Sequence, residues 1–216
     1  MFPPLDFADD DGLLAVGGNL SPARLRAAYE RGIFPWPYDD WPMLWFAPPR
    51  RALLFFDEIR LNKRARRALR NSGFTVSFDR DFASAIRGCA TPHKDDATWI
   101  RADVIAAYEK LHREGDENFR ARSVEVWRED ELVGGLYGVQ MGAYFCGESM
   151  FHTQPNASKF ALLSVVEELQ TRGATWLDCQ LMTPFFASLG AREVPRDEFV
   201  ALLHEVRSKS AVLKNL

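Results

Sequence analysis

The chain has few cysteines, no long apolar run and little net charge, and each shortage removes a class of answer. Cys89, Cys146 and Cys179 are odd in number and widely spaced, so no disulfide framework is expected and a reducing compartment is. No Cys/His cluster has metal-ligand spacing, and His93, His112, His152 and His204 lie in no triad-like setting. No metal and no cofactor are expected. No stretch approaches the ~20 apolar residues of a membrane span. The start, Met1-Phe2-Pro3-Pro4-Leu5-Asp6, has neither a basic n-region nor an apolar h-region, so no secretory leader is expected and the cytoplasm is the expected location. A net charge of −3 gives no hint of a nucleic-acid partner. What is plentiful is apolar content: 47% of 216 residues, with sixteen Phe and six Trp. That excludes disorder and coiled coil, and suits one domain of ordinary bulk or one domain plus a small appendage.

Local signals divide the chain. Ser21 and Pro22 open a helix that stops at Gly32. The aromatic, Pro-rich stretch from Ile33 to Pro49 interrupts helix and sheet alike and reads as an irregular segment closing a small N-terminal unit. The boundary is expected near 47–55, giving units 1–52 and 53–216. Beyond it, helices are expected at about 60–71, 80–88, 101–113, 157–172 and 197–208. Strands are expected at 74–78, 123–127, 131–140, from 143, and at 175–180, with a hairpin at Arg128-Glu129-Asp130. A strand meander, then a helix, then a strand is an α+β or α/β pattern with helices packed on a central sheet.

Four groups carry chemistry. From Arg60 to Arg70 the chain has six cations and no acid, and without them the net charge falls from −3 to −9. Helical spacing puts Arg60, Lys63, Arg64 and Arg67 on one face, opposite Leu61, Ala65, Ala68 and Leu69. An isolated positive stripe on an acidic body suits phosphate contact, and a solvated helix face is the alternative. Asp178 and Gln180, two apart on a strand, share a face about 7 Å apart. A carboxylate and an amide so placed can hold and deprotonate an amine and donate to an oxyanion, or can simply face solvent at a strand end. Glu148, among Phe145, Met150 and Phe151, is either partnered in the interior, facing water, or lining a cleft that suits a cation. Trp36, Trp45 and Trp99 stand in loop-like contexts, fit to stack a nucleobase or to pack two units together. Cys179 points away from its two neighbours, as a core thiol does.

Several segments, taken in order, resemble the leucyl/phenylalanyl-tRNA–protein transferases. They are GLLAVGGNLSP (12–22), YERGIFPW (29–36), TWI (98–100), SVEVW (123–127), GGLYGV (134–139), FCGESMF (145–151), NASK (156–159), LDCQ (177–180) and ASLGA (187–191). The resemblance spans roughly residues 12–200, and the combination is far more specific than any one motif. It implies a small N-terminal α/β domain and a larger GNAT-like acyltransferase domain, a mixed sheet flanked by helices. It implies transfer of Leu or Phe, with Met as a further donor, from charged tRNA to the α-amine of proteins that begin with Arg or Lys, marking them for degradation. By similarity Asp178 and Gln180 match the catalytic pair, and Glu148 the acid that meets the cationic acceptor. Tyr29, Trp36, Trp99 and Phe145 match positions around the donor's 3′-adenosine and apolar side chain, where Leu136 stands for a family Met. Arg60, Lys63, Arg64, Arg67 and Arg70 fall where the tRNA acceptor stem is met. A monomer is expected.

Two departures bear on specificity: Arg122 stands where a His usually precedes SVEVW, and Phe185 where a His is typical. They leave open a changed donor or an acidic acceptor. An acyl-CoA N-acetyltransferase of the same fold would need a Gly-rich phosphate turn before a helix. The Gly134–Gly138 run falls inside a strand, and Asn156–Lys159 has no glycine. A non-catalytic tRNA-binding module would have no use for Glu148, Asp178 and Gln180 together.

Overall fold

The computed structural model describes residues 1–91 and 99–213, and side chains as far as Arg207. Thr98 and His93 lie outside the described residues. The N-terminal part forms a small antiparallel sheet with strand order β1-β3-β2, from β1 (Leu13–Val16), β2 (Phe34–Trp36) and β3 (Leu44–Phe46), with helix α1 (Pro22–Tyr29) between β1 and β2. Ser21 caps α1 by accepting from the Arg24 N–H at 3.4 Å, and Gly32, at φ +74°, reverses the chain after it. The stretch expected to be irregular therefore holds two short strands, β2 and β3, with non-repetitive chain between and after them. Pro35 is tolerated because β2 is an edge strand, where a missing N–H costs no ladder bond.

The chain then enters a seven-stranded sheet. Residues expected to be a junction form its strand β4 (Arg50–Phe55), whose Arg51 to Leu54 are all buried. Next come α2 (Lys63–Arg70), β5 (Thr75–Phe78), α3 (Phe82–Ala90), α4 (Ala102–Glu114), β6 (Arg120–Arg128), β7 (Glu131–Met141) and β8 (Tyr144–His152). Then follow α5 (Ala157–Thr171), β9 (Trp176–Gln180), α6 (Pro184–Leu189), β10 (Arg192–Pro195) and α7 (Arg196–Leu213). The order is β10-β4-β9-β8-β7-β6-β5, a mixed α+β arrangement. Among the described residues only β8 and β9 pair in parallel, joined by the crossover helix α5. The expected hairpin is present, with Glu129 at φ +56° in its turn. Helix α6 and strand β10 had no expectation. They are too short for a periodic signal, although Thr183 caps α6 and Gly190 ends it at φ +97°.

Helix α2 is shorter than the basic segment. Asn62 accepts from Ala65 N–H at 2.8 Å and starts the helix at Lys63, so Arg60 lies before it rather than on its face. Of the expected apolar stripe, Leu69 is buried, Leu61 and Ala65 are half-buried, and Ala68 is exposed.

Two apolar layers sandwich the large sheet. One joins Leu25, Tyr29, Phe34 and Trp45 of the small sheet unit to Phe82, Tyr108, Tyr144 and Phe199. The other lies under α5, with Ala161, Leu162, Val165 and Leu169 against Leu54, Val124 and Leu177. Strands β8 and β9 pair directly only at Cys146 and Asp178. Beyond that pair they part, and a cavity opens at their C-terminal ends, where ligands of sheets with parallel crossovers are bound.

Candidate active site

The cavity is about 640 Å³ and mostly apolar, walled by Trp36, Leu136, Phe145, Met150, Leu162, Leu177, Phe185 and Phe186. Its polar groups include Glu148, Ser158, Thr183 and Gln180. Gly138 allows one wall to form: a side chain there would run into the Cys146 carbonyl and the Phe145 ring. Five residues singled out in the sequence (Trp36, Leu136, Phe145, Glu148 and Gln180) thus come together from four strands.

Gln180 ends β9 in an unusual conformation. A bulge against β4 gives β9 one extra residue, and Gln180 sits at φ +61°. There it centres a three-residue turn closed by Leu181 N–H to the Cys179 carbonyl at 2.8 Å. Such a turn is strained for a non-glycine residue and persists only where its surroundings hold it. Gln180 Nε2 donates to Glu148 Oε1 at 2.7 Å. Glu148 also accepts from Tyr29 at 2.7 Å and Tyr108 at 3.1 Å, whose hydroxyls lie 2.5 Å apart. Burial pushes the Glu148 carboxyl up to about 7, against the two tyrosine hydrogen bonds, which favour the charged form.

Asp178 lies on the same side as Gln180, since Gln180 Nε2 and Asp178's partner Arg51 both reach Cys146 Sγ, but it does not line the cavity. It is fully buried and forms a bidentate pair with Arg51, which is 1% exposed. Arg51 Nε donates to Oδ1 and Nη2 to Oδ2, both at 2.8 Å. Tyr144 donates to Oδ2 at 2.5 Å and the Gln180 backbone N–H to Oδ1 at 2.8 Å. Each carboxylate oxygen therefore already accepts two hydrogen bonds, its full capacity.

Tyr29 is buried behind Glu148 rather than on the cavity wall. Trp99 lies off the wall too, stacked on Trp36 at 5.0 Å and 19°. The cations of α2 are exposed, and among the described residues Lys63, Arg64, Arg67 and Arg70 form no ion pair. The exposed Arg60 joins them to the cavity's flank, its N–H donating to the Leu189 carbonyl at the end of α6 at 2.8 Å. Of the two departures, Phe185 lines the cavity, whereas Arg122 pairs with Asp79 at 2.5 Å and Gln140 at 2.8 Å away from it.

Sequence reasoning missed Arg51, Tyr108 and Tyr144. Arg51 sits in a run that reads as a junction, and a lone Tyr on a helix or strand carries no signal of what its hydroxyl meets. Cys179 also lines the cavity. Burial raises its thiol and that of Cys146 well above the ordinary range, so neither is a thiolate nucleophile. Among the described residues no group of three His, Cys, Asp or Glu could hold a metal ion, and no helix is long and apolar enough to cross a membrane. The Gly134–Gly138 run lies within β7, so it provides no loop to cradle a pyrophosphate.

Comparison with known proteins identifies the family. Residues 53–204 match the family model described as leucyl/phenylalanyl-tRNA protein transferase, and residues 18–49 match the model of its N-terminal domain. A leucyl/phenylalanyl-tRNA–protein transferase of Hahella chejuensis is 47% identical over 211 residues, covering 96% of this chain and 88% of that protein. One from Syntrophotalea carbinolica is 50% identical over 205 residues (94% and 87%), and one from Flavobacterium johnsoniae 44% over 204 (94% of each). Among solved structures, that of L-PGS from Bacillus licheniformis overlaps 70% of this chain and 48% of its own at a TM-score of 0.40 and 14% identity, too loosely to bear on the fold. The class is an aminoacyltransferase that takes its donor from tRNA. Within that class, the chain belongs to the leucyl/phenylalanyl-tRNA protein transferase family.

Proposed function

We propose that this chain moves Leu or Phe from charged tRNA to the N-terminal α-amine of proteins beginning with Arg or Lys, marking them for degradation. The observation that carries the proposal is Gln180 hydrogen-bonded to Glu148 on the wall of an apolar cavity. The chain before β4 forms one domain, which lends Trp36 to that wall. The chain from β4 onward forms the other, since Arg50 to Ala52, placed before the expected boundary at 52, already pair with β10 in the large sheet; it is GNAT-like in the way parallel β8 and β9 part around a crossover helix.

The donor ester is already activated. The amine nitrogen bonds to the ester carbonyl carbon, the bond to the tRNA 3′ oxygen breaks, and that oxygen leaves with a proton. No covalent enzyme intermediate is needed. An α-amine has a pKa of ~8, so a fraction of it is already neutral near pH 7, and a hydrogen-bond acceptor suffices to orient it while its proton passes to the leaving oxygen. Gln180 spends its N–H on Glu148, which leaves its amide oxygen as the acceptor for the amine. Asp178 acts through Gln180, by holding its backbone N–H. Glu148, half ionised near pH 7 and ionised above it, faces the cationic acceptor. The apolar walls take the donor side chain, Trp36 backed by Trp99 offers a face to the terminal adenosine, and the cations from Arg60 to Arg70 meet acceptor-stem phosphates. Holding both reactants in one geometry supplies much of the remaining rate.

The experiment is transfer of labelled Leu from charged tRNA to peptides that differ only in their first residue. Labelled Arg- and Lys-starting peptides with unlabelled Asp- and Glu-starting ones are expected. Label on the acidic peptides instead would overturn the acceptor assignment, and would point to Phe185 as its cause.

A further inference from the structure

We propose that Arg51 is a positioning residue for the transfer step, clamping Asp178 so that Asp178 in turn holds the strained turn that aims Gln180 into the cavity. This rests on the assignment of Gln180 as the group that meets the amine.

The guanidinium lies between the rings of Phe34 and Phe199, 4.6 and 4.7 Å from their centroids. Its Nη1 donates to the Gly32 carbonyl at 3.3 Å. The small sheet, the turn after α1, strand β4 and helix α7 therefore all converge on one buried cation. Its planar fork matches the Asp178 carboxylate at two points and fixes that carboxylate's rotation. In that rotation Oδ1 accepts from the Gln180 N–H at 2.8 Å, next to the bulge that leaves Cys179 without a partner on β4.

A pair this deeply buried is a poor way to gain stability, since apolar residues of similar volume do as well or better. What an apolar pair would lack is an acceptor for the Gln180 N–H. With both its oxygens saturated, Asp178 has no site for the α-amine proton. Its contribution, and that of Arg51 behind it, is to place the Gln180 amide.

The test compares three variants of the full chain in transfer to an Arg-starting peptide, with charged-tRNA binding and thermal unfolding measured alongside. Arg51→Lys keeps the charge but not the fork. The double variant Arg51→Met with Asp178→Leu removes both charges and roughly keeps volume. Gln180→Ala reports on the underlying assignment. The expected result is a fall in kcat of about 10²-fold for the first two, with charged-tRNA Kd and peptide KM within about twofold of wild type, and a double variant as heat-resistant as the wild type. Wild-type transfer by the folded double variant would overturn the proposal. So would an Arg51→Lys defect that disappears well below that variant's unfolding temperature. If Gln180→Ala is slow while the Arg51 variants are not, Arg51 alone is misassigned; if Gln180→Ala transfers normally, both assignments fall.

Discussion

Glu148 makes the stability of this protein depend on pH in a way that one substitution should erase. Its carboxyl is buried and titrates at about 7 in the folded chain against an ordinary 4.5. Between those values the folded state holds a proton that the unfolded state has released, so stability falls as pH rises from about 4.5 to about 7 and no further above it. The displacement corresponds to at most roughly 3 kcal/mol. Desolvation is its main cause, partly offset by the Tyr29 and Tyr108 hydroxyls and by the Arg51 charge. Glu148→Gln keeps the shape and cannot ionise. Urea unfolding of both proteins at pH 5, 6, 7 and 8 gives a difference in which the other titrating groups cancel. Wild-type stability should drop relative to the variant across that range by up to roughly 3 kcal/mol, most of it below pH 7. A flat difference would refute the reasoning, because the carboxyl would then have the same proton affinity folded and unfolded.

Three further outcomes follow from the same geometry. Tyr108→Phe deletes a 3.1 Å bond that favours the charged carboxylate, so the pH window of Glu148 should move upward in the same unfolding series; an unmoved window would mean that the hydroxyl does not act on the carboxylate. Trp36→Ala should weaken charged-tRNA binding by about 1–3 kcal/mol if its face stacks the terminal base, and unchanged affinity would leave the Trp36–Trp99 stack as packing alone. Replacing Lys63, Arg64 and Arg67 by Ala should weaken tRNA binding at low salt and flatten the plot of log affinity against log salt, by roughly one unit for each phosphate the chain no longer neutralises. An unchanged slope would place the tRNA elsewhere.

The parts of the fold that can be read from sequence are those whose signal is local. Ser21 with Pro22, and Gly173 at φ +77°, mark helix ends through caps that need no distant partner. Alternation on β9 puts Asp178 and Gln180 on one face. The missed strands depend on partners far along the chain. Pro35 looks like a strand breaker until β2 is seen to be an edge, and Arg51 looks like a surface residue until Asp178, 127 positions later, is placed against it. The bulge at Gln180 is equally invisible, since nothing in LDCQ records that β4 and β9 slip by one residue. Trp36, Leu136, Phe145 and Glu148 stand out by motif resemblance, and only the parting of β8 and β9 brings them to one cavity.

The most direct test of the account is single-turnover transfer by Gln180→Ala with charged tRNA prebound at saturation. The amide is required at the reacting amine but not for holding the donor, so the rate constant should fall by about 10²-fold or more, with charged-tRNA affinity unchanged. Transfer at the wild-type rate would contradict the claim that the Gln180–Glu148 wall is where the new peptide bond is made.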